Sequence, residues 1–273
     1  MRMSSTYSFR AMVALLVLVT VGGIGGCSGD RGGGPEEESA TLTVLAASSL
    51  TNAFSELETA FEEQNPGLDV STSFGSSSDL LVQIQQGAPA DVFASADEAK
   101  MQTALEEGLV EESKIFAMNR PIVVVPKDNP AGIQVFRDLG EADARLVLAE
   151  AKVPITEYAE DVLANADSEY GDGFGQRVLD KVVSREANVR ASANRVALGE
   201  ADATFLYASD VTDDVRDRVQ TVEIPQNLNV LAMYPIATIE GSQNAELARA
   251  WVDLVLGDEG QRVLERYDFQ RVN

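Results

Sequence analysis

From residue 41 onward the chain alternates short apolar runs with amphipathic stretches, and this alternation constrains the fold more than any other feature. Residues 42–46 form an apolar run of strand length. Leu50, Ala53, Phe54, Leu57, Ala60 and Phe61 then recur at helical spacing until Asn65, Pro66 and Gly67 stop them. The unit repeats. Strands are predicted at 68–74, 90–94, 121–126, 145–149, 203–207 and 231–239, and helices at 79–86, 98–107, 158–166, 175–183, 189–199, 245–256 and 260–267. Neighbouring strands separated by a helix pair in parallel, so this order implies α/β layers, with mixed, mostly parallel sheets flanked by helices. The 273 residues exceed one modest open sheet, and the proline-bracketed run at 121–126 reads as a connection between two lobes.

Ahead of this body, Arg2 and Arg10 precede an apolar run at 11–21, and small residues lead from there to Cys27. The run is short for a membrane span and has the three-part layout of a secretory signal, residues 1–26. Cys27 is the only cysteine, so an internal disulfide is not available. Its place directly after Ile24, Gly25 and Gly26 resembles the lipobox of bacterial lipoproteins, with Ile24 where leucine is commonest, which makes Cys27 the expected lipidation site. Residues 27–40 are Gly-rich and acidic and read as a flexible tether.

Composition excludes several functions. Lys and Arg number 21 against 44 Asp and Glu, a net charge of −23, so neither nucleic acid nor an anionic membrane surface is an expected partner. There is no histidine, which removes the commonest general base and the commonest zinc ligand. No nucleophile–base pair stands out, so neither catalysis nor a cofactor is expected.

Two segments share one design: an apolar strand, a serine-bearing turn, then a helix. They are Val44–Leu50 and Ser73–Asp79. A serine there offers a hydroxyl beside unpaired backbone N–H groups at the positive end of the helix dipole, which suits an anion. The same serines, Ser49 and Ser77, could equally serve only as helix caps.

Three strings then carry a resemblance: Ala46-Ala47-Ser48-Ser49-Leu50-Thr51-Asn52-Ala53-Phe54, Ser73-Phe74-Gly75-Ser76-Ser77-Ser78, and Gln86-Gly87-Ala88-Pro89-Ala90-Asp91-Val92-Phe93-Ala94-Ser95-Ala96-Asp97. They resemble the molybdate-binding proteins of ABC transporters, and later markers such as Tyr207-Ala208-Ser209-Asp210 and Tyr234-Pro235-Ile236 extend the likeness from about residue 42 to 269. The resemblance implies a two-lobed periplasmic-binding-protein fold of type II with the ligand in the interlobe cleft. It divides the body into lobe one, 41–119 with 234–273, and lobe two, 120–233. The family's two serines fall on Ser49 and Ser77, two backbone N–H donors on Ile155 and Val189, and a tyrosine hydroxyl on Tyr207. The implied ligand is molybdate or tungstate, held through its oxygens, with another tetrahedral oxyanion such as sulfate or phosphate as the alternative. The implied setting is extracytoplasmic, with the protein a monomer anchored to the cell membrane through Cys27 and delivering its ligand to an ABC permease. An enzyme on the same scaffold and a ligand-sensing module are the rivals from other classes. The chain departs from the family at Ile155-Thr156, where a small residue followed by Gly is usual, and the preceding loop is one residue shorter.

Neutral donors suit such a ligand. Molybdate at neutral pH is a dianion that only accepts hydrogen bonds, and each charge-assisted bond is worth roughly 1.5–3 kcal/mol. Arg190 is therefore expected to brace a loop or an interlobe ion pair, and Asp79 to cap its helix or face solvent. The acidic surface opposes anion arrival from a distance, so molybdate association measured by stopped flow should accelerate as ionic strength rises; a rate that falls with added salt would contradict this.

Overall fold

The computed structural model describes residues 40–272, so the predicted signal, most of the tether and Cys27 lie outside the described residues. The strands are β1 (Ala40–Ala47), β2 (Leu68–Gly75), β3 (Val92–Ala94), β4 (Val110–Asn119), β5 (Pro121–Pro126), β6 (Leu146–Ala149), β7 (Val182–Glu186), β8 (Thr204–Tyr207), β9 (Val219–Val222) and β10 (Ala232–Ile239). The helices are α1 (Thr51–Gln64), α2 (Ser77–Gln85), α3 (Glu98–Glu106), α4 (Asp138–Glu141), α5 (Pro154–Tyr170), α6 (Phe174–Leu179), α7 (Val189–Ala197), α8 (Asp213–Arg216), α9 (Ala245–Leu256) and α10 (Asp258–Arg266). Two 3-10 turns, Ser48–Leu50 and Ala208–Asp210, follow β1 and β8.

The strands assemble into two lobes. One holds a five-stranded sheet in the order β2-β1-β3-β10-β4. The other holds a three-stranded sheet, β8-β5-β9, and the pair β6-β7, which a parallel bridge from Leu146 to Ala203 sets beside β8. β1 pairs in parallel with β2 and β3, and β6 with β7, as strand–helix units require. Antiparallel ladders join β10 to β3 and β4, and β5 to β8 and β9. The sheets are thus mixed, with a larger antiparallel share than strand–helix alternation alone implies, because β4, β5 and β10 are the strands that carry the chain between lobes.

That crossing is short. Only Arg120 separates β4 from β5, and the return strand β10 starts beside it, with Ala232 opposite Asn119 and Met233 opposite Met118. The run at 121–126 is consequently not a linker. It is the central strand of the second sheet, and its residues are buried along their whole length.

Other expectations also change. The helix predicted over 175–183 stops at Leu179, and Val182 and Val183 open β7. β4, β7 and β9 were not anticipated as strands. All three are edge strands with exposed polar residues breaking the apolar pattern. The helix predicted from 158 begins at Pro154, where a proline costs nothing because its missing N–H has no intrahelical partner. α2 begins at Ser77, two residues earlier than predicted.

In the first lobe α9 and α10 fold back on α1 and β10. Trp251 of α9 is fully buried and meets Phe54 and Phe61 of α1 edge-on, with ring centroids 5.6 and 5.5 Å away. Replacing this anchor leaves a large cavity, so Trp251→Ala should lower unfolding stability by about 3–5 kcal/mol in urea denaturation. A loss below about 1 kcal/mol would show that the contact does not hold the C-terminal helices in place.

Candidate functional site

The serine-bearing turns lie at the carboxyl ends of two parallel strands, where open α/β sheets commonly present ligand sites. The structure decides what the two serines do. α2 is capped by Ser76, whose Oγ accepts from the Asp79 amide at 3.1 Å and donates to Asp79 Oδ2 at 2.8 Å. Ser77 is therefore free of the cap, and its Oγ instead accepts from the Ala96 amide at 2.9 Å. Ser49 makes no cap bond either; its Oγ lies 2.9 Å from the Tyr234 hydroxyl. Ser49 and Ser77 are buried, yet neither is used to finish a helix.

Tyr207 closes β8. It is 1% exposed, and its hydroxyl has no hydrogen-bond partner among the described residues. Burying an unpaired hydroxyl costs about 1–3 kcal/mol, so a partner from outside the chain is the natural complement. Its ring packs edge-on between Tyr234 and Tyr158, at 5.6 and 6.3 Å.

Ile155 is the second residue of α5 and Val189 the first of α7, positions whose N–H groups have no acceptor within the helix. Asn188 caps α7 by accepting from the Ala191 amide at 3.0 Å, which leaves the Val189 amide uncommitted by the cap. The Ile155 side chain belongs to the hydrophobic core, and Thr156 Oγ1 bonds to the Ala149 carbonyl at 2.9 Å. The bulkier pair is thus accommodated away from the helix end, with the N-terminal backbone still leading the turn.

No two of these five residues share a hydrogen bond among the described residues; neighbours join them. Ser49 reaches Tyr234, whose ring meets Tyr207. Ser77 reaches the Ala96 amide, and the next residue, Asp97, is one of the charges acting on the Tyr207 hydroxyl. Ser78, beside Ser77, donates to the Lys152 carbonyl just before α5. Arg190, beside Val189, donates through Nε to the Ser48 carbonyl at 3.2 Å and through Nη2 to Asn52 Oδ1 at 2.9 Å. Ion pairs Lys152–Asp79 (2.5 Å) and Lys100–Glu157 (2.7 Å) flank these contacts. These contacts tie the turns that carry Ser49 and Ser77 to the helix ends that carry Ile155 and Val189. Asp79 does what was expected, completing the α2 cap while its lysine partner holds its carboxyl below the usual range. Two surface cavities of about 530 and 540 Å³ lie elsewhere, one around Asp91 and Ser242 and the other lined by Arg120, Arg216, Glu223 and Asp268.

Sequence reasoning missed Tyr234, Tyr158, Asp97, Asp210 and Asn119. Asp97 is buried, caps α3 by accepting from the Lys100 amide at 2.7 Å, and has its acidity weakened by desolvation. Asp210 is fully buried; one oxygen accepts from the Tyr207 amide at 3.0 Å and the other lies 3.8 Å from Arg190 Nε. Burial pushes Asp210 up to about 6, with Arg190 opposing the shift. Burial also keeps Tyr207 and Tyr234 protonated far above neutrality, so both act as neutral hydroxyls. The candidate donors are buried hydroxyls and backbone amides at helix N-termini, and none of them is a cation.

Two α/β lobes joined through the paired strands β4 and β10 give this chain the type II periplasmic-binding-protein fold. The chain belongs to the bacterial extracellular solute-binding protein family, whose model matches residues 42–270, and within it to the molybdate-binding group. It is 34% identical over 239 residues to the molybdate-binding protein ModA of Mycobacterium tuberculosis, covering 87% of each chain. Among solved structures, the substrate-binding domain of a putative molybdenum ABC transporter from Clostridium difficile matches with a TM-score of 0.65 at 27% identity, covering 86% of this chain and all of that one. The periplasmic molybdate-binding protein of Azotobacter vinelandii has the same fold, with a TM-score of 0.73 at 18% identity, covering 85% of this chain and all of that one.

Asp210 yields a test. Its folded-state value lies above the ordinary 3.8, so its contribution to stability is full below about pH 4 and is lost as pH rises to about 6. Asp210→Asn removes that loss, so the stability of the variant relative to the natural protein should rise between about pH 4 and about pH 7. A difference that does not change with pH would show that Asp210 titrates normally.

Proposed function

We propose that the protein captures molybdate or tungstate in the interlobe volume and delivers it to an ABC permease. The observation that carries this reading is the buried Tyr207 hydroxyl, which has no hydrogen-bond partner among the described residues, together with Ser77, whose oxygen already accepts from the Ala96 amide, and Ser49, whose hydroxyl is not used in a helix cap. A hydroxyl whose oxygen is occupied as an acceptor has its hydrogen left to give, and a fully deprotonated tetrahedral dianion takes only donors. The Ile155 and Val189 amides, at two helix N-termini, supply the remaining donors in this reading. Relatives whose names specify molybdate binding support the choice of anion.

Lobe one is 41–119 with 234–273, lobe two 120–233, and they rock about the paired strands at Asn119 and Ala232. The Arg190, Lys152 and Lys100 contacts hold the lobes together over the guest. Cys27 carries the lipid anchor and residues 28–40 hold the body off the membrane surface, on the extracytoplasmic side.

Isothermal titration of the purified protein with molybdate, tungstate, sulfate and phosphate tests the reading. Molybdate and tungstate should bind one per chain with similar affinity, sulfate more weakly and phosphate weakest. Equal binding of all four, or none, would overturn it. Tyr207→Phe should weaken molybdate roughly tenfold to a hundredfold, equivalent to about 1.5–3 kcal/mol, while leaving the anion-free melting temperature unchanged or raised. A variant that loses stability but keeps its affinity would place the hydroxyl outside the site.

A further inference from the structure

Arg190 stands between two sets of acceptors, one on each side of the lobe boundary. Its own lobe supplies Asp210; the other supplies the turn after β1 and the start of α1. The guanidinium is committed across the boundary, with Nε donating to the Ser48 carbonyl at 3.2 Å and Nη2 to Asn52 Oδ1 at 2.9 Å. Asp210 Oδ1 lies 3.8 Å from Nε, beyond hydrogen-bond reach, and has no other partner among the described residues. The second oxygen of Asp210 accepts from the Tyr207 amide at 3.0 Å. Asp210 is 0% exposed, so bulk water does not reach the unpaired oxygen.

A buried carboxylate oxygen without a donor is costly. That cost is borne while Arg190 reaches across. Arg190 sits on α7 and Asp210 in the turn after β8, so both stay with lobe two when the lobes part, while Ser48 and Asn52 leave with lobe one. A movement of roughly 1 Å then brings Nε to hydrogen-bond distance of Oδ1. Arg190 is the cation that faces Asp210 from α7. Its titratable neighbours on β8 and β10 are the protonated hydroxyls of Tyr207 and Tyr234, and the turn after β1 brings Ser48, Ser49 and Leu50, none of them charged. Asp213 and Asp214 of α8 are exposed.

We propose that Arg190 is a two-position latch: it clasps Ser48 and Asn52 when the anion is enclosed and falls back on Asp210 when the lobes part, so that enclosing the anion strips Asp210 of its counter-charge and draws a proton from solvent onto it. This rests on the proposed capture of an oxyanion between closing lobes. In the closed arrangement burial holds the Asp210 carboxyl up at about 6. Pairing with Arg190 in the parted form lowers it. Closure therefore takes up protons below about pH 7, and the gain in anion affinity is lost as pH rises through about 6.

The test titrates the full chain with sodium molybdate by calorimetry from about pH 5 to about pH 8, in buffers of different ionisation enthalpy so that protons are counted. Asp210→Asn is the comparison. It removes this titration and leaves in place both molybdate's own protonation and Asp97, which faces Lys100 at 3.5 Å. With values of about 6 closed and 3.8 or lower parted, the natural protein should take up roughly 0.7 proton more than Asp210→Asn at about pH 5.5, and close to none more at about pH 8. Its affinity relative to Asp210→Asn should fall about tenfold between about pH 5 and about pH 7.5. Arg190→Gln separates the latch from burial alone. Without the guanidinium, Asp210 has no counter-charge in either form, so the extra uptake should vanish there too, whereas burial on closure by itself would preserve it. A cooperative melt checks folding, and Arg190→Gln against the natural protein carries the test if Asp210→Asn does not fold. A chain that binds no molybdate overturns the proposed function and the latch with it. A natural protein that binds molybdate with the same proton count as Asp210→Asn, or an Arg190→Gln variant that keeps the uptake, overturns the latch alone.

Discussion

The antiparallel ladder between β4 and β10 is the interaction on which the rest of the structure depends. It brings the outgoing and returning chain together at Asn119 and Ala232, so both lobes hang from one short seam. The turn after β1 and the N-terminus of α7 meet through Arg190, whose guanidinium bonds Ser48 and Asn52, and the N-termini of α2 and α5 meet through Ser78 and the Lys152 carbonyl. A site assembled from helix N-termini needs this constraint, because each contributes only one or two uncommitted N–H groups.

Charge follows the same logic. The chain carries a net −23, yet the five candidate ligands are neutral hydroxyls and backbone amides. Each of the two buried carboxylates there has one oxygen hydrogen-bonded, Asp97 to the start of α3 and Asp210 to the Tyr207 amide, while the other oxygen makes no hydrogen bond among the described residues and has only Lys100 at 3.5 Å or Arg190 at 3.8 Å for a counter-charge. Arg190 spends its hydrogen bonds on Ser48 and Asn52 across the lobe boundary. The guanidinium is thus placed to govern how the lobes meet, while short-range donors govern what they enclose.

Much of the fold was legible because central strands and amphipathic helices advertise themselves. β1, β5, β8 and β10 are continuous apolar runs, and α1, α7 and α9 show one apolar face each. Edge strands do not. β4 mixes Glu111, Glu112, Ser113 and Lys114 with its apolar half, and β7 carries Ser184, Arg185 and Glu186, because one side of each meets solvent. The reading of 121–126 as a connection failed for a related reason: prolines bracket a central strand here, marking the crossing at one end only.

The site was legible in part. Ser49 and Ser77 follow a visible strand–turn–helix pattern, and the family resemblance pointed to Ile155, Val189 and Tyr207. Whether the serines capped helices was not readable from spacing, since three serines in a row leave the cap assignment open until Ser76 is seen to take it. Tyr234 was invisible as a partner of Ser49: it sits 185 positions away, in a strand whose burial fully explains an aromatic. Long-range hydrogen bonds of this kind leave no local periodicity.

The central claim, one tetrahedral anion held by donors from both lobes, is tested most directly by anomalous scattering from crystals of the protein grown with tungstate. The account predicts a single tungsten peak per chain, with its oxygens about 2.7–3.0 Å from Ser49 Oγ, Ser77 Oγ and the Tyr207 hydroxyl. A peak on the outer surface, or one contacted by a single lobe, would contradict it.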